Sequence, residues 1–131
     1  MLLTGETIAR DQRAAFACFL NAADDGNAEA QNLLGRCFEN GWGTPVDRNA
    51  ARNCYKLAAE NGDFRGAHNH ACVLSADGCI AGALRWFERG IAGAPPPARV
   101  QMLKALNHHP RCAVRAFAAR ALENCQVAAP D

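Results

Sequence analysis

A chain of 131 residues with 50% hydrophobic and only 7% aromatic side chains is long enough for one domain with an alanine-rich core. A formal charge of +1 leaves no global field to hold nucleic acid or anionic lipid, and no apolar run approaches the ~20 residues that span a bilayer. Runs of β-branched residues are absent while alanine, the strongest helix former, is abundant, so an all-helical protein is expected.

At the N-terminus Met1-Leu2-Leu3 runs straight into Thr4-Gly5-Glu6 with no apolar signal-peptide core, which points to a cytoplasmic protein. Seven cysteines cannot all pair within one chain, and in a reducing compartment they serve as small buried hydrophobes. The first predicted helix runs from about Asp11, a candidate N-cap, to Asp24, and carries Phe16, Phe19 and Leu20. In the next helix Leu33, Leu34, Cys37 and Phe38 form a stripe on one face. Gly35 costs that helix about 1 kcal/mol against alanine, which predicts another backbone packed on it, here the face around Ala58 and Ala59.

The segment Glu39-Asn40-Gly41-Trp42-Gly43-Thr44-Pro45-Val46-Asp47 has the glycines of a ligand loop but the logic of a helix-to-helix connector. Gly41 suits the left-handed position that ends a helix, Gly43 permits a second turn, and Pro45 blocks continuation. Val46 is placed to staple inward and Asp47 to cap the next helix. Trp42 reads as a semi-buried packing residue. A phosphate loop would need a preceding strand, more glycine and a lysine.

Ala51, Cys54, Tyr55, Ala58 and Ala59 then share a helix face, and Gly62 closes the element. A helix through Gly66–Leu74 follows and ends near Ser75, before an Asp77-Gly78 turn. Beyond Ala94-Pro95-Pro96-Pro97 two helices are predicted over about 98–107 and 111–125, separated by His108-His109-Pro110. In the last, Val114, Phe117, Ala118, Ala121, Leu122 and Cys125 lie on one side, with Arg111, Arg115 and Arg120 elsewhere. Charge concentrates here: residues 98–131 hold five Lys/Arg against two Asp/Glu, whereas residues 1–97 hold nine against eleven.

The chain repeats itself. Shifted by 36 positions, Asp47 through Gly62 falls on Asp11 through Gly26 with Asp, Ala-Ala, Cys-aromatic, Ala-Ala and Gly in register. Gly66 through Leu74 falls on Ala30 through Phe38, and Trp86-Phe87 falls on Cys54-Tyr55 at an offset of 32, so the later connector is about four residues shorter. The run Ala30-Gln31, Leu34-Gly35, Phe38, Gly41, Gly43, Asp47, Ala50, Cys54-Tyr55, Ala58-Ala59 and Gly62 resembles a Sel1-like repeat, a relative of the tetratricopeptide repeats.

The resemblance implies an all-α superhelix of stacked antiparallel helix pairs, about seven helices in this chain. It divides residues 1–94 into a half repeat (5–26), a full repeat (27–62) and a degenerate repeat (63–94). Residues 95–131 do not match and are expected to form a C-terminal helical cap. It also implies a non-catalytic scaffold or adaptor that holds another protein or peptide in a concave groove. Groove candidates are the polar positions of the first helices, Gln31, Asn32, Arg36, His68 and Asn69. The half repeat lacks its first helix, so Phe16, Phe19 or Leu20 is expected on an uncovered side that favours self-association.

The alternative is a metal- or redox-responsive domain using His68, Cys72 and Cys79, three soft ligands within twelve residues. No CxxC pair or second Cys/His cluster supports it, so neither metal nor cofactor is expected. Some secreted relatives staple each helix pair with a disulfide near the Cys72–Cys79 spacing. Cys18 and Cys54, however, fall on equivalent core slots, which argues for buried thiols. Ser75 is the only serine and has no lysine or glycine elbow beside it, so no catalytic set emerges. The paired carboxylates Asp24-Asp25 read as solvated surface, and no aromatic array interleaves with the basic residues to stack bases.

Overall fold

The computed structural model describes the backbone of residues 5–128 and the side chains of residues 10–123. Among the described residues the chain is wholly helical, with α1 Gly5–Asp24, α2 Ala28–Asn40, α3 Arg48–Glu60, α4 Phe64–Ala76, α5 Ile80–Gly93, α6 Pro96–Leu106 and α7 Cys112–Ala128. Successive helices fold back on one another, and the pairs stack as an α-helical repeat superhelix.

Short polar side chains start three of these helices by accepting the amide proton three residues on. Asn27 Oδ1 accepts from Ala30 N at 2.8 Å, Asp47 Oδ1 from Ala50 N at 3.1 Å, and Asp63 Oδ2 from Gly66 N at 2.7 Å. Asp11 does not do this. It lies inside α1, which begins upstream at Gly5. The physical reason is in the aligned segment: where the later connector has Gly43 and Pro45, the earlier one has Thr7 and Ala9, so nothing breaks the helix before Asp11.

The α2–α3 connector is fixed from both ends. Gly41 ends α2 at φ +73°, and its N–H bonds to the Cys37 carbonyl. Gly43 (φ +76°) lies directly on α1, where a Cβ would collide with the Gln12 carbonyl and come within 2.9 Å of Arg13 Cα. The connector therefore clamps α1 to the rest of the stack. Val46 is 57% exposed and does not staple inward, because the short turn holds its Cγ2 over Gly41 instead. Trp42 is surface-exposed beneath the Arg36 guanidinium, 5.3 Å from its ring centroid.

Small residues set how closely the helices approach. The Tyr55 ring lies on the backbone of Gly35, where a Cβ would stand 2.7 Å from Tyr55 Cε1. Gly35 thus accommodates an aromatic ring rather than the Ala58–Ala59 face. That face receives α4, with Gly66 against Ala58. In the next layer Gly90 of α5 meets the Phe64 carbonyl and Ala67. Tyr55 is buried, and its hydroxyl donates to the Glu39 carboxylate at 2.6 Å. Burial, together with this acceptor, pushes the phenol well above its usual range.

The C-terminal half shares one interior. Ala71, Ala83, Phe87, Ile91, Leu103, Leu106, Val114 and Ala118 form a single buried cluster drawn from α4 to α7. Phe117, Ala121 and Leu122 pack at its edge, while the Cys125 side chain lies outside the described residues. α6 starts at Pro96, two residues before the predicted boundary, because proline is well suited to a first helical turn. Arg99 is tied inward, donating to the Ile91 and Ala94 carbonyls at 3.1 and 3.0 Å at the end of α5. Arg115 likewise donates to the His109 and Pro110 carbonyls at 2.7 and 2.9 Å.

At the other end α1 packs against α2, with Phe16 edge-on to Phe38 at 5.5 Å between ring centroids. Phe16 and Phe19 are half-buried and Leu20 is exposed. Cys18 is exposed and its repeat counterpart Cys54 only half-buried, so neither slot holds the buried thiol expected; no helix among the described residues covers that side of α1.

Candidate protein-interaction groove

The first helices of three consecutive pairs, α2, α4 and α6, line a groove of about 430 Å³. α2 supplies Asn32 and Arg36, and α4 supplies Phe64, Arg65, His68 and Asn69. α6 closes it with Ala98, Gln101 and Met102. Every lining residue comes from one of these three helices.

Four of the five polar residues singled out in the sequence lie here, but their roles differ. Asn32 is only 2% exposed, and its Oδ1 accepts from Asn69 Nδ2 at 2.7 Å, tying α2 to α4. An amide pair with one partner buried helps fix the register of the two helices, because separating them strands the buried Asn32 amide. Arg36 stays exposed on α2. Gln31 lies apart from the groove: it is buried, donates to the Ala23 carbonyl at 3.4 Å and accepts from Asn61 Nδ2 at 2.9 Å. It joins the end of α1 to the end of α3.

A family model of the Sel1 repeat matches residues 1–27 and 28–63. The chain is a Sel1-repeat protein. Sel1 repeats are in general protein–protein interaction modules, and the family is typically non-catalytic. No curated protein matches the chain. In this Sel1-repeat protein the groove extends past the matched segment, since α4 and α6 follow residue 63.

Sequence reasoning missed Phe64, Arg65 and the three α6 residues. Arg65 sits two positions after the Asp63 cap, which is a detectable signal for the first exposed turn of α4. The α6 positions carry no repeat motif, and only the packed structure brings them opposite α4.

His68 lies edge-on to Phe87 at 5.4 Å, and its Nδ1 is buried without a hydrogen-bond partner. Burial, helped by nearby His109, lowers its pKa, so the ring is neutral at pH 7. His70 is also held neutral, by burial and then by Lys56, and packs edge-on to Trp86 at 5.1 Å.

His68, Cys72 and Cys79 do not assemble as a ligand set. Among the described residues no group of three or more His, Cys, Asp or Glu side chains is placed to hold a metal ion. Cys72 packs against the core cluster, and burial pushes its thiol up to about 11. Cys79 is exposed beyond the Asp77-Gly78 turn, and both thiols are free.

The structure also brings together a serine and a histidine that are 34 residues apart. Ser75 Oγ lies 3.5 Å from His109 Nε2. His109 Nδ1 accepts the Arg111 amide proton at 3.0 Å, so the neutral ring carries its own proton on Nε2 and donates it toward Ser75. That tautomer cannot take the serine proton. The pair is a part-buried structural contact between α4 and the α6–α7 turn.

No helix among the described residues is long and apolar enough to cross a membrane.

Proposed function

We propose that this Sel1-repeat protein is a non-catalytic scaffold that binds a partner peptide or helix along the concave face formed by α2, α4 and α6. The single observation that carries this reading is the composition of the groove, whose lining comes only from those three helices. Residues 63–94 extend the stack as a degenerate repeat, and residues 95–131 cap it while lending α6 to the groove. The expected compartment is the cytoplasm, where free thiols persist.

A groove of this kind offers apolar contact from Phe64 and Met102 beside the exposed guanidiniums of Arg36 and Arg65. Replacing Ala98 by tryptophan fills it without touching the core cluster. Affinity purification from native host lysate with the wild-type chain and Ala98→Trp tests the reading. A partner retained by the wild type and lost from the variant is expected. Equal recovery by both would place the interaction on another face.

A further inference from the structure

The groove carries charge of one sign. Arg36 and Arg65 stand on its α2 and α4 walls, and no Asp or Glu lines it among the described residues. Of the two cations of α6, the third wall, Arg99 is tied to the carbonyls at the end of α5 and Lys104 does not line the groove, so the groove's charge comes from Arg36 and Arg65. This concentration is local, because the whole chain carries only +1.

Both arginines are available to a ligand. Arg36 is exposed and, among the described residues, its guanidinium engages the face of Trp42, at 5.3 Å. Arg65 lies over Phe64 at 5.0 Å and faces Glu29 at 3.8 Å, with both charged side chains more than half exposed. An exposed pair of that kind contributes about 0–1 kcal/mol and yields readily to a better-placed carboxylate. Neither guanidinium is committed to a backbone carbonyl as Arg99 and Arg115 are.

The rest of the lining fits the other parts of a peptide. Met102 and the Phe64 ring offer adaptable apolar contact. Gln101 presents an amide that suits a peptide backbone, which has both donors and acceptors, whereas the Asn69 amide is engaged by Asn32. A phosphate-rich polyanion would find two arginines but no lysine among the described lining residues. An apolar helix would offer neither guanidinium an acceptor of its own.

We infer that the groove selects an acidic peptide segment of a partner protein, in which an Asp or Glu pairs with Arg36 or Arg65 and a neighbouring large apolar side chain packs on Phe64 and Met102. The inference rests on the groove reading above and adds the partner's chemistry to it. Charge pairing of this type steers association and discriminates partners, and it weakens with salt.

The test is selection of random 12-residue peptides displayed on phage against the full chain, with binding of the enriched peptides measured by fluorescence anisotropy. Enriched sequences should be net acidic and carry a large apolar residue. Arg36→Gln with Arg65→Gln should weaken them by about tenfold or more, as expected for lost charge-assisted hydrogen bonds. Arg36→Glu with Arg65→Glu should shift the selection toward basic peptides. Both positions are exposed, and thermal melts by circular dichroism verify that each variant folds. Peptides that lose binding in Ala98→Trp but are neutral or basic, or are indifferent to both arginine variants, would overturn the acidic inference and leave the groove standing. Peptides unaffected by Ala98→Trp, or no enrichment at all, would overturn both.

Discussion

The ring of Tyr55 rests on the bare backbone of Gly35, and its hydroxyl reaches Glu39 at 2.6 Å. One aromatic residue of α3 thereby holds α2 at two points, four residues apart. Glycine at 35 is required by its neighbour and not by its own conformation, since no left-handed backbone is involved.

Gly35→Ala gains about 1 kcal/mol of helix propensity but places a methyl 2.7 Å from the ring. Overpacking of a filled core costs about 1–3 kcal/mol, so net destabilisation is expected. Urea unfolding should show a lower midpoint at unchanged slope. A midpoint at or above wild type would show that the ring has room to move.

Asp63 and Asp77 separate a cap from a surface ion pair. Asp63→Ala removes the acceptor for Gly66 N and should cost about 1 kcal/mol. Asp77 makes a bidentate pair with Arg52, at 2.7 and 2.8 Å, yet both side chains are substantially exposed. Asn at 77 should therefore cost less, about 0–1 kcal/mol, and less still in high salt. Urea unfolding of the two variants at low and high salt checks the order.

The buried histidines make stability fall on mild acidification. Burial lowers the folded-state pKa of His68 and His70 from the ordinary 6.5. Below about that pH the unfolded chain takes up protons that the folded rings resist, so the unfolded state gains. Stability is complete above pH 6.5 and declines as pH falls toward the lowered values. Urea midpoints at pH 7.5 and 5.5 should differ, and the difference should shrink in His68→Phe with His70→Leu. An equal drop in that variant would assign the effect to other groups.

Thiol reactivity should follow burial and pKa. Cys18, Cys79 and Cys112 are exposed, whereas Cys37 is buried and the Cys72 thiol is pushed up to about 11. Timed alkylation read by peptide mass spectrometry should label the first three before Cys72 and Cys37. Early labelling of Cys72 would mean that its wall of the core opens.

What sequence reveals here depends on whether a residue's demand is local. Gly41 and Asp47 carry their roles in their own chemistry, a left-handed backbone and a carboxylate acceptor, so the turn between α2 and α3 is readable without a structure. Asp11 has the same chemistry but lacks the breaker before it, so the repeat register misleads. The neighbour of Gly35 is a tertiary fact, and residue spacing points to alanines where a tyrosine ring lies. The groove is legible where it follows the repeat, at Asn32, Arg36, His68 and Asn69. Ala98, Gln101 and Met102 escape because α6 joins that face only through its packing on the last layer. Gln31 looks like surface and is buried, since its amide pairs with the Ala23 carbonyl and the Asn61 side chain.

The most direct test of the groove is site-specific photo-crosslinking with the partner captured from native host lysate. A photoreactive residue at Gln101, inside the groove, should give one discrete adduct, and one at Leu57, exposed on α3, should give none. Adducts from Leu57 but not Gln101 would contradict the account.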